Sequence, residues 1–182
     1  MPESRNYKMK LSNVRLSFAS IFKKAVFEGN ETKYEATFLI HKDDQSELVE
    51  KVNKKIEQFL KDKFGAGKVP KSIKRTVMID GDTKDYDGYE NHMAFKGGSN
   101  RRFTIIDKDK TPLAEEDGKP YAGCYVNAIV DLWYSDHPKG GKQVLGNLLG
   151  IQFLRDGEAF GAGSADTSDE FDDVSEDDDD DF

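Results

Sequence analysis

Residues 123–135 read Gly-Cys-Tyr-Val-Asn-Ala-Ile-Val-Asp-Leu-Trp-Tyr-Ser, and this stretch decides the fold. Its side chains alternate between two faces, one of them formed by Val126, Ala128, Val130, Leu132 and Tyr134. The other face mixes aromatic and polar groups: Tyr125, Asn127, Ile129, Asp131 and Trp133. A period of two is typical of a β-strand that packs one side on a core. The chain is therefore expected to be built on a β-sheet.

A second strand follows directly. The loop 136–141 (Asp-His-Pro-Lys-Gly-Gly) predicts a hairpin that leads into a strand over 142–155. Gly146 and Gly150 interrupt this second strand. Glycines inside a strand favour the bends that a closed barrel needs.

The N-terminal part of the chain repeats the alternating pattern. Residues 7–22 alternate, with a slip of one residue at Ser12-Asn13 that predicts a β-bulge. Gly29-Asn30 marks a turn, and residues 33–41 alternate again, so the two segments are expected to be antiparallel neighbours. Shorter strands are predicted at 75–80, 92–96 and 102–107.

One helix is predicted over residues 43–64, where apolar residues recur every three or four positions. Asp43-Asp44 is the expected N-cap and Gly65 the expected stop. About six twisted strands with one inserted helix favour a mainly β fold, an OB-type small β-barrel, over the alternative of a β-sandwich. We expect one domain over residues 1–160, followed by a linker and acidic tail over 161–182.

The charge of the chain is divided unevenly. Residues 166–182 hold 11 of the 35 carboxylates and none of the 27 Lys and Arg, so residues 1–165 carry a net charge of +3 against −8 for the whole chain. A segment so acidic cannot bury enough apolar surface to fold, and it is expected to stay solvated. It ends in Asp177, Asp178, Asp179, Asp180, Asp181 and Phe182.

Catalytic and metal-binding signatures are weak. The three histidines are scattered, and Cys124, the single cysteine, is expected to be a small buried core residue in a reducing compartment. The acidic loop 80–90 does not fit the EF-hand spacing, and we interpret it as a solvated loop, with a weak cation site or a metal-dependent nuclease as alternatives. We expect no enzyme activity and no cofactor. No segment has the apolar length of a membrane span, so the chain is expected in the cytoplasm.

Basic and aromatic residues are interleaved along the strands and loops. Cations that follow phosphates and rings that stack on unpaired bases are what single-stranded nucleic acid requires. The candidates for phosphate contacts are Arg15, Lys33, Arg75, Lys96, Arg101, Arg102 and Lys142. The candidates for base stacking are Phe27, Tyr34, Tyr89, Phe95, Trp133 and Tyr134. Core positions are expected for Phe18, Phe38, Phe59 and Phe103, whereas the exposure of Tyr86 is left open.

The ordered pieces of the sequence resemble the OB-fold single-stranded-DNA-binding proteins of tailed phages. The resemblance rests on residues 14–18 (Val-Arg-Leu-Ser-Phe), 33–40, 80–82, 121–128, 148–153 and 156–161, before an acidic tail that ends in Phe. It implies a barrel that binds single strands without sequence preference, and a tail whose last aromatic residue contacts replication proteins.

From these features we expect a single-stranded-DNA-binding protein of phage-type replication, recombination or repair. The tail is expected to compete with DNA for the cationic groove and to dock partner proteins through Asp177–Phe182. Two alternatives remain at this point: an inhibitory protein whose tail mimics DNA, and the nuclease already mentioned. The sequence does not decide the oligomeric state, and a homodimer is possible.

Overall fold

The computed structural model describes residues 7–160 of the 182-residue chain. Within that range the strands are β1 (Met9–Ser20), β2 (Val26–Phe27), β3 (Asn30–Glu31), β4 (Tyr34–His41), β5 (Met78–Asp80), β6 (His92–Ser99), β7 (Thr104–Ile106), β8 (Tyr125–Ser135) and β9 (Gln143–Arg155). The helix α1 (Ser46–Phe64) lies between β4 and β5. No helix in the described range is long and apolar enough to cross a bilayer.

Seven of these strands form one sheet in the order β5-β6-β4-β1-β8-β9-β7. A parallel pairing of β6 with β9, at Gly97–Gly146, closes a ring of five strands. A Cβ on Gly146 would lie 2.8 Å from the Lys96 carbonyl oxygen and 3.0 Å from the Phe95 ring, so only glycine fits at this closure. The OB-type fold predicted from the sequence is confirmed.

The predicted pairing of the first two long strands is also confirmed. β1 and β4 are antiparallel neighbours, and the register of β1 against β8 shifts between Leu11 and Val14, where the bulge was expected. Asn13 has a φ of 54° at that bulge. The bulge keeps apolar residues on the core side before and after the slip: Leu11 and Val14 are both fully buried.

The helix begins later than the sequence indicates. Asp43 and Asp44 do not cap it; their backbone N–H groups donate to His41 Nδ1 at 3.2 and 3.0 Å. Gln45 occupies the N-cap position, and its side-chain amide donates to the Ser12 carbonyl oxygen at 3.0 Å. The start of α1 is thus tied to the β1 bulge, a tertiary contact that overrides local capping preference. Gly65 ends the helix as expected.

The core lies inside the ring of strands and under α1. Phe38 and Phe95 are its largest fully buried side chains. The helix contributes Val52, Ile56, Phe59 and Leu60 on one face. Cys124 is fully buried, in agreement with the core position expected from the sequence. Burial raises the pKa of its thiol to about 11, so the thiol is unreactive near neutral pH.

Candidate nucleic-acid interface

The outer faces of β1, β4 and β6 form the floor of a cleft of about 340 Å³. Register places Ser17 of β1 opposite Thr37 of β4, and Thr37 opposite Lys96 of β6, so a polar row crosses the floor. The loop 81–91 between β5 and β6 forms one wall and contributes Lys84 and Tyr86. The cleft therefore combines a flat sheet surface with aromatic and cationic groups at its border.

Three aromatic rings meet at this wall. The Phe18 and Tyr86 centroids lie 4.9 Å apart, those of Tyr86 and Tyr89 5.1 Å, and all three pairs meet edge to face. Tyr89 is 2% exposed and its hydroxyl lies 3.2 Å from Ser17 Oγ, so it anchors the other two rings; burial raises its pKa. Phe18 and Tyr86 are 52% and 51% exposed, which leaves ring surface available to a flat ligand.

Phe18 was expected in the core, and that expectation is wrong. The alternation Val14, Leu16, Phe18 would place its ring inside the barrel, as it does for Leu16. Phe18 instead adopts a φ of 45°, and the pairing of β1 with β4 becomes irregular between Ser17 and Ser20. The irregularity turns the side chain out of the alternating pattern and onto the outer surface.

Two lysines of the cleft form no ion pair within residues 7–160. Both, Lys84 and Lys96, are exposed and line the cleft. Lys33 continues the charge along the sheet, since its Nζ lies 3.2 Å from where a Cβ of Gly98 would be. Arg101 and Arg102 are exposed just past β6, and Lys142 is exposed just before β9. These cations are available to phosphates.

Two of the arginines predicted to contact phosphates are engaged inside the protein. Arg75 forms a two-pronged ion pair with Glu57 of α1, at 2.6 and 3.0 Å, which raises the pKa of Arg75 and lowers that of Glu57. Arg15 donates to the carbonyl oxygens of Gly123 at 2.9 Å and Glu158 at 2.6 Å. Its guanidinium also lies 4.2 Å from the centroid of the Phe160 ring. The structure thus gives both residues intramolecular partners, which argue against the predicted phosphate contacts.

Three of the rings predicted to stack on bases are buried. Phe95 is 0%, Tyr89 2% and Tyr34 8% exposed. Phe95 lies in the core, Tyr34 packs against Phe103, and Tyr89 of the loop 81–91 packs back on the sheet with its hydroxyl 3.2 Å from Ser17 Oγ. None of these rings offers a free face in this structure, so the prediction is corrected for all three.

The other three rings differ in exposure. Phe27 is 67% exposed at the tip of the β2–β3 hairpin, and Trp133 is 40% exposed on β8, outside the cleft. Tyr134 is half-buried, with its ring centroid 5.4 Å from that of Phe64 and 4.7 Å from Lys63 Nζ. The stacking roles of these residues stay predictions.

The acidic loop is held together by a lysine. Lys42 Nζ donates to Asp80 Oδ1 at 2.5 Å and to Asp82 Oδ2 at 2.6 Å, and the Asn91 backbone N–H donates to Asp82 Oδ1 at 2.9 Å. These contacts lower the pKa of both carboxyl groups. No group of three or more His, Cys, Asp or Glu in residues 7–160 is arranged to hold a metal ion. The hydrogen bonds of Lys42 and Asn91 fix both ends of the loop that carries Tyr86 and Tyr89.

The chain leaves the barrel beside the aromatic wall. Phe160 packs over Gly88, where a Cβ would lie 2.4 Å from its ring, and its backbone N–H donates to the Ala122 carbonyl oxygen at 3.1 Å. Phe160 shares a second cleft, of about 560 Å³, with Phe18 and Tyr86. The predictions for the linker and for Asp177–Phe182 lie outside the described residues.

Sequence reasoning missed part of this site. Lys84 and Phe18 were not among the candidates, and Tyr86 was left undecided. The signal for Lys84 and Tyr86 was their place in a polar, Gly-punctuated loop, which favours exposure. No local signal identified Phe18, because the alternation predicted the opposite face.

Residues 7–182 match the protein family described as the ssDNA-binding protein of Enterobacter phage Enc34. Protein p50 of Acyrthosiphon pisum secondary endosymbiont phage 1 is 38% identical over 176 residues, which cover 92% of this chain and 94% of that protein. The Enc34 single-stranded DNA-binding protein in complex with ssDNA superposes with a TM-score of 0.73 at 26% identity, over 86% of this chain and 91% of that one.

A more distant structure shares the fold alone. The single-stranded DNA binding protein gp2.5 of bacteriophage T7 superposes with a TM-score of 0.57 at 15% identity, over 91% of this chain and 95% of that one. The match that defines the family spans nearly the whole chain and agrees with the closed ring of strands. The chain belongs to the family of the Enc34 phage ssDNA-binding protein.

Proposed function

We propose that this protein binds single-stranded DNA along the outer face of β1, β4 and β6, without reading a defined sequence, in phage DNA replication, recombination or repair. The observation that carries the proposal is the pair of half-exposed rings, Phe18 and Tyr86, beside the unpaired cations Lys84 and Lys96. Rings of this kind stack on any unpaired base, whereas duplex DNA keeps its base faces hidden.

The path of the strand follows from the positions of the cations. It runs from Lys84 and Tyr86 across Lys96 towards Lys33, and on to Arg101 and Arg102 at the far end of β6. These groups lie along neighbouring strands, so a phosphate backbone laid over them would release counterions at each contact. The Enc34 relative is solved in complex with ssDNA, which supports single-strand binding by this chain.

A salt-titrated comparison of ligands tests the proposal. Fluorescence anisotropy of the full chain with labelled oligo-dT, with the matching RNA and with a duplex should show tightest binding to the single strand. The affinity should fall steeply with salt, by a power close to the number of phosphates neutralised. Equal affinity for duplex and single strand, at all salt concentrations, would contradict it.

The acidic tail is proposed to regulate this site. Phe160 lines a cleft together with Tyr86, so a tail tethered at residue 160 would meet the DNA site at high effective concentration. Deleting residues 166–182 should raise the affinity for oligo-dT at low salt and weaken capture of replication proteins, which we propose dock on Asp177–Phe182. A deletion that leaves the affinity unchanged at low salt would remove the competition.

The acidic loop 80–90 bears on nuclease activity, and the oligomeric state needs a separate measurement. We propose that the protein is not an enzyme, since Lys42 occupies the space between Asp80 and Asp82 that a catalytic cation would need. Incubation of a single strand with Mg²⁺ or Mn²⁺ tests this, and cleavage abolished by Asp82→Ala would overturn it. Sedimentation of the full chain decides between monomer and homodimer.

A further inference from the structure

Among residues 7–160, one carboxylate lines the cationic cleft. Glu35 is on β4, two residues before Thr37, and it lines the cleft together with Lys96 and Tyr86. It is half-buried, and within residues 7–160 it takes part in no ion pair or side-chain hydrogen bond. The cleft therefore holds an acceptor that the protein itself leaves unused.

The surroundings of Glu35 are set by register. Its Cα partner on β6 is Gly98, which has no side chain of its own beside Glu35 and leaves room for that of Lys33. The Lys33 side chain lies over Gly98, and Lys96 is opposite Thr37, so cations stand on both sides of Glu35 along the sheet. A phosphate placed on either lysine would avoid the carboxylate between them.

We propose that Glu35 turns the bases of the bound strand towards the floor of the cleft and gives the site a preference for bases that carry an amino group. The inference rests on the proposed function and names a specificity-determining residue for it. A carboxylate repels phosphate but accepts hydrogen bonds, so the backbone lies on the lysines and a base edge lies on Glu35.

The chemistry of the bases then sets the order of affinity. Cytosine presents the N4 amino group, a donor that Glu and Asp side chains accept. Thymine presents the O4 carbonyl in its place, an acceptor that cannot donate to the carboxylate, and keeps only the N3–H beside it as a donor. Oligo-dC is expected to bind about fivefold more tightly than oligo-dT, the lower end of the discrimination that such contacts provide. Both pyrimidine strands stack weakly, so the difference between the affinities for oligo-dC and oligo-dT reports on the contact with Glu35.

Glu35→Gln tests the inference, with Glu50→Gln as the matched control. Glu50 is exposed on α1, is paired with Lys54, and lies outside the cleft, so this variant makes the same change in net charge. In Glu35→Gln the affinity for oligo-dT should rise about threefold, the effect of one charge roughly 7 Å from a phosphate in water. The ratio of dC to dT affinities should fall to about one, because the neutral amide also donates to thymine O4. Glu35→Asp keeps the charge and should keep a preference for dC.

The outcomes separate this inference from the proposed function. If the wild-type chain binds neither oligonucleotide at low salt, the proposed function fails. If it binds both equally, or if Glu35→Gln and Glu50→Gln leave the same dC-to-dT ratio, the role of Glu35 is refuted while single-strand binding stands. The measurements are made near pH 8, where oligo-dC stays unfolded.

Discussion

Replacing the two exposed rings of the cleft is the sharpest test of the DNA interface. In Phe18→Leu and Tyr86→Leu the side chain stays apolar and still packs on Tyr89, but the flat surface for a base is lost. Each wild-type ring is about half exposed, at 52% and 51%, so one face of each is open to a base. The variants therefore isolate stacking from folding.

The size of the loss follows from that exposure. Stacking of a base on an aromatic side chain contributes about 1–3 kcal/mol. Because one part of each ring is covered by its neighbours, we take the lower part of that range, about 1–1.5 kcal/mol, which weakens binding about five- to twelvefold per ring. The two rings touch, with centroids 4.9 Å apart, so the double variant should lose less than the product of the single losses.

The assay is anisotropy of labelled oligo-dT, with Phe64→Leu as the control. Phe64 is a half-buried aromatic residue of α1 outside the cleft, so its replacement should change the affinity by less than about twofold. The salt dependence should be unchanged in all variants, since no charge is removed. If the Phe18 and Tyr86 variants also bind within about twofold of wild type, the cleft is not the interface.

Three further predictions concern charge, shape and pH. Lys96→Ala should lower the slope of log affinity against log salt by about one, because one phosphate contact is lost. Arg75→Ala should leave that slope unchanged. It should instead lower the free energy of unfolding, measured by urea denaturation, by about 0.5–1 kcal/mol, because the ion pair with Glu57 is lost. Gly88→Ala should lower both the melting temperature and the affinity for oligo-dT, because its Cβ would lie 2.4 Å from the Phe160 ring. Gly67→Ala is the control: Gly67 also has a positive φ, but a Cβ there would meet no atom within 4 Å, so this variant should show the backbone strain alone. Since hydrogen bonds lower the pKa of Asp82 below 3.8, its stabilising contribution is present above that pH and is lost as the pH falls through the lower folded value. Urea denaturation from neutral pH down to about pH 3 should therefore show a flatter acid dependence in Asp82→Asn, and an unchanged profile would contradict the role of these contacts.

The local pattern of the sequence was sufficient for the elements of the barrel. Alternation over residues 123–135 and 7–22 predicted the long strands, and a slip at Ser12-Asn13 predicted the bulge. Spacing of three and four predicted α1, and the glycines of the last strand predicted the bends of a closed barrel; the structure shows that the ring closes at Gly146. These signals are local, because the periodicity of a strand or helix can be recognised within a window of consecutive residues.

The candidate site was predicted less well, because its parts come together only in three dimensions. Arg15 and Arg75 looked like phosphate ligands, yet each is engaged by groups far away in the sequence, at Glu158 and Glu57. Exposure of an aromatic ring likewise depends on its tertiary contacts: within the loop 81–91, Tyr89 packs on the sheet and is buried, whereas Tyr86 is half exposed.

The sequence alone determined the mainly β architecture, the inserted helix, the contrast between a mildly basic body and an acidic end, and the resemblance to phage single-stranded-DNA-binding proteins. Only the tertiary structure decided which rings and cations reach the surface. A positive φ at Phe18 turned its ring to the outer surface. Hydrogen bonds to residues distant in the sequence engage Arg15 and Arg75 within the protein. The physical reason is that periodicity assigns a side chain to a face of its strand, whereas availability depends on the partners that the fold brings to that face.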